Sequence, residues 1–183
     1  MLHTETVEPG TFSLLMELMS LPSLQSFSLV GGTALALRFG HRNSVDLGLF
    51  YHEKFDHPQV VKALETNFQQ RFVYKQQHTQ FGIFCFINNI KVDFVHFPHL
   101  PIKPIVIEDK IRFYSIADIS AMKIQAILGR AQKKDFWDLY ELLQHYQLQQ
   151  LIGISKNIPV RCWQSVFLMQ SPILLMPKRA MIR

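Results

Sequence analysis

Two adjacent glycines, Gly31 and Gly32, constrain the fold of this chain more than any other feature. The apolar segment 27–30 before them favours a strand, and a short helix is predicted after them. A second strand, predicted over 45–51, carries Asp46. A strand that turns directly into a helix presents free backbone N–H groups that can bind a phosphate. Two glycines also form ordinary tight turns, so the pair alone does not identify a site.

The second strand predicts which side chains accompany Asp46. Side chains alternate between the two faces of a strand, so Asp46, position 48 and Phe50 are expected on one face. Positions 46 and 48 are then about 7 Å apart, a spacing at which two acids could bind metal together. Position 48 is a glycine.

This stretch resembles the nucleotidyltransferase family that includes the AbiEii/AbiGii-type toxins of bacterial abortive-infection systems. The family pattern has two glycines, a helix, and then Arg-x-Ser/Thr-x-Asp-x-Asp on the next strand. The chain matches this pattern at Gly31, Gly32, Arg42, Ser44 and Asp46. It departs from the pattern at Gly48, where the family has its second Asp.

The resemblance extends over residues 25–150. Asp93 matches the third family acid, which lies on a later strand, and Lys123 matches a family lysine on a helix. The segment Lys134-Asp-Phe-Trp-Asp-Leu matches the family's Arg/Lys-Asp-x-x-Asp-Leu, which places Asp135 and Asp138.

The resemblance implies a fold and a division of the chain. The expected fold is the α/β (α+β) nucleotidyltransferase fold, which is polymerase-β-like, with a mixed sheet, flanking helices and a helical C-terminal part. We expect a core over 1–114, helices over 115–155 and a basic, divergent tail over 156–183.

The resemblance also implies an activity, the transfer of a nucleoside monophosphate from an NTP to an acceptor, which in some relatives is tRNA. The catalytic residues would be Asp46, Asp93 and Lys123, with Mg²⁺ at the two acids and a second ion placed in doubt by Gly48. The nucleotide would be bound by Gly31, Gly32, Thr33, Arg42, Ser44, Arg130 and Asp135. The protein would be the toxin of a toxin–antitoxin pair, with its antitoxin encoded nearby.

Several alternatives remain open at the level of sequence. Asp46 could be a surface acid, Asp93 could pair with a structural Arg, and Lys123 could merely flank a packed helix. Asp138 lies in the first turn of a predicted helix, where a carboxylate favours the helix dipole, and we expect a structural role for it. Gly48 favours a catalytically silent relative that still binds nucleotide or a protein partner. Four residues at helical spacing are predicted to be core: Phe136, Leu139, Tyr140 and Leu143.

Composition locates the positive charge. The 19 Lys and Arg exceed the 14 Asp and Glu by five, and all five excess cations follow Glu141. The tail 156–183 therefore either binds the phosphates of a nucleic acid or is a solvated chain end. Cys85 and Cys162 are far apart in apolar contexts, which indicates thiols in a reducing, cytoplasmic compartment. No secretory signal or membrane span is expected, because 162–177 is too short and too polar to cross a bilayer.

Other chemistries lack their motifs. The sequence contains no HExxH, G-x-S-x-G, Walker A or G-x-G-x-x-G pattern, and it has no zinc-finger or RRM signature. The remaining element predictions are helices over 9–19, 57–70 and 134–149, a helix capped by Ser115, and strands over 72–75, 81–87 and 90–97. Asn88 and Asn89 predict a tight hairpin between the last two strands.

Overall fold

A seven-stranded mixed sheet organises the chain in the computed structural model, which describes residues 1–74 and 81–156. The strands are β1 (Ser28–Val30), β2 (Leu47–Tyr51), β3 (Phe72–Tyr74), β4 (Gly82–Ile87), β5 (Ile90–His96), β6 (Val106–Glu108) and β7 (Ile111–Phe113). The helices are α1 (Pro9–Ser20), α2 (Gly31–Phe39), α3 (His57–Phe68), α4 (Ile116–Gly129), α5 (Lys133–His145) and α6 (Leu148–Ser155). Three short 3₁₀ turns span Thr4–Thr6, Pro22–Leu24 and Gln69–Arg71.

The strand order is β3-β4-β5-β2-β1-β7-β6. The central pair β2 and β5 is parallel, β1 is antiparallel to β2, and β1 is parallel to β7. The hairpins β3–β4, β4–β5 and β6–β7 are antiparallel. This mixed sheet with its helices confirms the predicted fold class.

The local sequence accounts for the ends of several elements. Asn88 and Asn89 have φ values of 53° and 63°, the left-handed conformation that a two-residue hairpin turn requires, as predicted. The Ser115 hydroxyl accepts a hydrogen bond from the Asp118 backbone N–H and caps α4, also as predicted. Gly40, with φ 71°, ends α2 in the left-handed region.

Helices cover the sheet and pack on one another. Helix α3 contacts β3 and β4, whereas α2 packs against β1, β2, α4 and α5. The core is formed mainly by aliphatic side chains and by fully buried aromatic rings such as Phe27, Phe94 and Phe113. No helix in the described ranges is long and apolar enough to cross a membrane.

Three sequence predictions need correction. Strand β2 begins at Leu47, so Asp46 lies immediately before it, and Val45 is exposed. The helix predicted over 134–149 is two helices, separated at Tyr146 and Gln147. The predicted core positions Phe136, Tyr140 and Leu143 are largely exposed, because α5 instead buries Asp135, Asp138 and Leu142. The tail 157–183 lies outside the described residues.

Candidate active site

Strand register brings the two predicted metal acids to one face of the sheet. Gly48 of β2 is paired with Asp93 of β5 on one side and with Val30 of β1 on the other. Directly paired residues on neighbouring strands point to the same face. Asp46, two residues before Gly48, lines the same cavity as Asp93, so the structure brings the two carboxylates together at a cavity of about 400 Å³.

The Gly31–Gly32 turn forms the adjoining wall of this cavity. Gly31 has a φ of 74°, a backbone conformation that residues other than glycine rarely adopt. A Cβ atom on Gly32 would lie 2.0 Å from Nη2 of Arg42, so glycine is required for the guanidinium to lie against the helix start. Val30 precedes α2 as its N-cap and has no side-chain oxygen to cap the first N–H groups. The start of α2 can therefore bind an anion.

Thr33 and Ser44 fix the segment that carries Asp46. The buried Thr33 hydroxyl donates a hydrogen bond to the backbone carbonyl of Asp46. The Ser44 hydroxyl lies 2.8 Å from the Thr33 hydroxyl. Ser44 lines the cavity, whereas Thr33 acts from behind it. These contacts explain why small hydroxyl residues are needed at both positions.

Each cavity acid is paired with a lysine. Nζ of Lys134 lies 3.4 Å from Oδ2 of Asp46, whose side chain is 46% exposed. Nζ of Lys91 donates to Oδ2 of the buried Asp93 at 3.0 Å. The ion pair seen at Asp93 is thus with Lys91, whereas the sequence had left open a pair with a structural Arg.

The donor set fits one Mg²⁺ ion better than two. Mg²⁺ is commonly held by one or two carboxylates together with substrate phosphates and waters, and Asp46 and Asp93 provide such a pair. Within residues 1–74 and 81–156, no group of three or more His, Cys, Asp and Glu side chains could hold a metal. The glycine at position 48 accounts for the missing third carboxylate.

Behind the cavity, Asp138 of α5 is completely buried among cationic side chains. It accepts hydrogen bonds from Nε and Nη2 of Arg42 at 2.7 and 3.0 Å, and from Nε2 of His41 at 2.7 Å. Nζ of Lys123 lies 2.5 Å from its Oδ2. Burial alone would raise the pKa of Asp138, but the hydrogen bonds from His41 and Arg42 and the nearby charges hold it well below its ordinary value. Asp138 thus forms ion pairs that link α5 to α4 and to the loop between α2 and β2.

Asp135 completes this buried network. Its carboxylate accepts hydrogen bonds from Nζ of Lys123 at 3.1 Å and from Nε of Arg130 at 3.0 Å. Burial would raise its pKa, yet the hydrogen bond from Arg130 and the charge of Lys123 lower it. Lys123 therefore bridges the carboxylates of Asp135 and Asp138. Because Asp135 has no exposed surface, its predicted part in nucleotide binding could only be exerted through these two cations.

The cavity lining is cationic. Its Lys and Arg side chains outnumber its two Asp residues, and they are Arg42, Lys91, Lys123, Arg130 and Lys134. The carboxylates of Asp135 and Asp138 orient Arg42, Lys123 and Arg130. This limits the reorganisation that these cations need in order to bind a polyanion. Glu53, the first acid after β2, accepts a hydrogen bond from the Tyr51 hydroxyl and does not line the cavity.

Three residues of this site lie outside the motifs recognised in the sequence. His41 precedes Arg42 directly, and its position next to a motif residue is a usable signal. Lys91 lies two residues before Asp93, and strand alternation places both on one face. Phe86 is paired with Lys91 across β4 and β5, and only the strand register identifies it.

The fold and this site define a protein of the nucleotidyltransferase class. A family model described as nucleotidyl transferase AbiEii toxin, type IV TA system, matches residues 13–155. The chain belongs to this family, and the predicted family membership is confirmed.

Individual similarities agree with this membership. The uncharacterized protein aq_aa25 of Aquifex aeolicus is 30% identical over 136 residues, which are 72% of this chain and 65% of that protein. The chain thus spans less than two thirds of that relative's length.

Solved structures show the same fold. A candidate nucleotidyltransferase from H. pylori superposes with a TM-score of 0.55 at 18% identity, over 88% of this chain and 83% of that one. The Megavirus polyadenylate synthase superposes with a TM-score of 0.52 at 17% identity, over 76% of this chain and 32% of that one. JHP933 from Helicobacter pylori superposes with a TM-score of 0.52 at 14% identity, over 92% of this chain and 98% of that one.

Proposed function

We propose that this protein binds an NTP with Mg²⁺ in the described cavity and transfers its nucleoside monophosphate to an acceptor hydroxyl. One observation carries the proposal: Asp46 and Asp93 face the uncapped start of α2 at Gly31 and Gly32 across a single cation-lined cavity. A triphosphate needs N–H donors and positive charge, and a bound metal needs carboxylates. The cavity provides all three.

The residues around the cavity have different roles, which follow from their positions. The N–H groups at the start of α2 bind phosphate oxygens, and Arg42 and Lys123 offset the charge of the triphosphate. Asp46 and Asp93 hold one Mg²⁺ ion, which when bound would act as a Lewis acid toward the phosphate oxygens. Ser44 and Thr33 keep Asp46 in place. Arg130, held by Asp135, extends the positive wall.

The transfer itself is a substitution at the α-phosphorus. An acceptor hydroxyl oxygen forms a bond to that phosphorus while the bond to the β-phosphate oxygen breaks. Pyrophosphate leaves with the electron pair, and the hydroxyl proton passes to the carboxylate of Asp93. Family membership favours a toxin role with an antitoxin partner in the cytoplasm, and tRNA is the acceptor we would test first.

Gly48 supports a second candidate function, that of an impaired relative that binds nucleotide or a partner and transfers slowly. In the register of the sheet, the missing carboxylate would stand directly beside Asp93. Without it, Lys91 is the group that neutralises Asp93, and a second ion lacks a ligand.

Restoring the carboxylate separates the two candidates. A Cβ atom at position 48 would approach Cγ2 of Val30 to 3.3 Å and meet nothing closer, so Gly48→Asp needs a shift of only a few tenths of an ångström. We expect the unmutated protein to transfer labelled NMP to bulk tRNA slowly or not at all. Gly48→Asp should raise the rate by at least about a hundredfold, the effect of a metal ligand that stabilises the transition state by a few kcal/mol.

Two controls accompany this measurement. Gly153→Asp adds the same charge at an exposed position of α6 with no atom within 4 Å of the new Cβ, and it should leave the rate unchanged. Asp46→Ala in the Gly48→Asp background should remove the gain. A fast unmutated protein that Gly48→Asp does not improve would refute the assignment of the metal ligands.

A further inference from the structure

Phe86 is a large apolar side chain on the wall of an otherwise charged cavity. The alternation of β4 directs Ile83, Cys85 and Ile87 into the core, whereas Phe86 is 46% exposed on the site face. In the part of the chain that the structure describes, no other aromatic ring is stacked on it. Phe86 therefore presents exposed apolar surface to the cavity that it lines.

The strand register gives the distance of this ring from the metal acids. Phe86 pairs with Lys91 of β5, and Leu47 of β2 pairs with Val92. Asp46, one residue before Leu47, is thus the next neighbour of Lys91 across the sheet. Phe86 and Asp46 are separated by two strand spacings, or about 10 Å. That separation leaves room for a sugar between a phosphate at Asp46 and a base at Phe86.

We propose that the Phe86 ring is the platform on which the nucleobase of the bound NTP stacks. The assignment rests on the proposed function. It adds a binding site for the nucleobase, whereas the turn at Gly31 and Gly32 accounts only for the phosphates. Stacking on an aromatic ring tolerates every base, because each base has a π-face. Purine nucleotides should bind more tightly than pyrimidine nucleotides here, since their rings cover more of the Phe86 face.

A structural role for Phe86 predicts different behaviour. Phe86 lies opposite the exposed Val73 of β3, and an apolar cross-strand pair stabilises a sheet without any ligand. Removal of the ring would then lower stability and leave the affinity for an NTP unchanged. If the base stacks on Phe86, removal of the ring would instead lower the affinity for an NTP and leave the stability of the fold nearly unchanged.

Titration calorimetry with two ligands distinguishes these roles. The ligands are the unreactive analogue α,β-methylene-ATP and inorganic tripolyphosphate, each with Mg²⁺. Phe86→Leu should weaken the ATP analogue by at least about fivefold, from the worth of one base stack, and leave tripolyphosphate binding unchanged. Phe86→Trp should retain the affinity, and its added fluorescence should be quenched by the analogue. Phe136→Leu is the matched control, because Phe136 is 48% exposed but does not line the cavity.

Each other outcome overturns a specific statement. If the unmutated protein binds neither ligand, the proposed function fails and the stacking assignment fails with it. If both ligands bind and Phe86→Leu keeps the affinity for the ATP analogue, the stacking assignment is wrong although the function stands. Loss of both ligands in Phe86→Leu would show that the ring supports the phosphate site rather than the base, and it would overturn the stacking assignment. Weaker binding of tRNA at unchanged ATP-analogue affinity would assign the ring to a base of the acceptor and overturn the proposal.

Discussion

Replacement of Asp138 by Asn should destabilise the protein more than any other conservative change near the cavity. The fully buried carboxylate is the ion-pair partner of Arg42 and shares Lys123 with Asp135. Asn has the shape of Asp but lacks its charge, so the partly buried Arg42 would lose this counter-ion, as would the buried Lys123. Removal of one partner of a buried ion pair costs about 3–5 kcal/mol. That is a large part of the roughly 5–15 kcal/mol that stabilises a typical domain.

The carboxylate of Asp138 also makes the free energy of unfolding depend on pH. The pKa of Asp138 is lowered in the folded state, because the hydrogen bonds and charges around it outweigh burial. The unfolded chain then binds a proton more readily than the folded one. The contribution of Asp138 is fully present above its unfolded pKa of about 3.9 and is lost as pH falls through the lower folded pKa. Asp135 acts in the same direction.

Urea unfolding followed by circular dichroism at neutral and acidic pH measures both effects. We expect the free energy of unfolding of Asp138→Asn to be about 3–5 kcal/mol lower at pH 7 and to change less with acidification than that of the unmutated protein. Asp109→Asn makes the same change at an exposed hairpin position and should stay within about 0.5 kcal/mol. A loss below about 1 kcal/mol for Asp138→Asn would refute the view that this network secures α5 to α4 and to the loop between α2 and β2.

Two further predictions concern the phosphate turn and the tail. Mg²⁺ with an NTP should raise the Tm of the unmutated protein by mass action. Gly32→Val should abolish that rise, because its side chain would displace the Arg42 guanidinium, whereas Gly153→Val should retain it; a retained rise in Gly32→Val would count against the turn as the phosphate site. Deletion of 157–183 should leave NTP binding unchanged by calorimetry. A weaker, less salt-dependent affinity for RNA after the deletion would instead show that the tail cations contact phosphates.

The features that could be predicted from the sequence are those set by local rules. The hairpin at Asn88 and Asn89 follows from the positive φ that its turn demands, and the start of α4 follows from the Ser115 cap. Alternation along a strand places position 46 on the same face as position 48, whereas the pairing of Gly48 with Asp93 is seen only in the register of the sheet. The turn at Gly31 combines positive φ with a helix start that only glycine accepts readily.

The buried network could not be predicted in this way. Arg42 and Asp138 are separated by 96 positions, and no local pattern links them. On α5, the apolar positions at helical spacing indicated a buried face with Phe136 and Tyr140. The helix instead turns its acids inward, because the cations Arg42, Lys123 and Arg130 lie beneath it. An unpaired buried cation costs more than the exposure of an aromatic ring, so the electrostatic match decides the orientation of the helix.

The cavity is lined by residues from both of the parts predicted from the sequence, 1–114 and 115–155. Its carboxylates, Asp46 and Asp93, belong to the sheet, while Lys123, Arg130 and Lys134 come from the helices that follow. The sheet part alone would leave Arg42 without Asp138 and Asp46 without Lys134. The helical part alone would present its cations without the phosphate-binding turn. Because neither part forms a balanced site, the proposed nucleotide site requires both, and the ion pairs of α5 with Arg42, Lys123 and Asp46 are as much a part of it as its metal-binding acids.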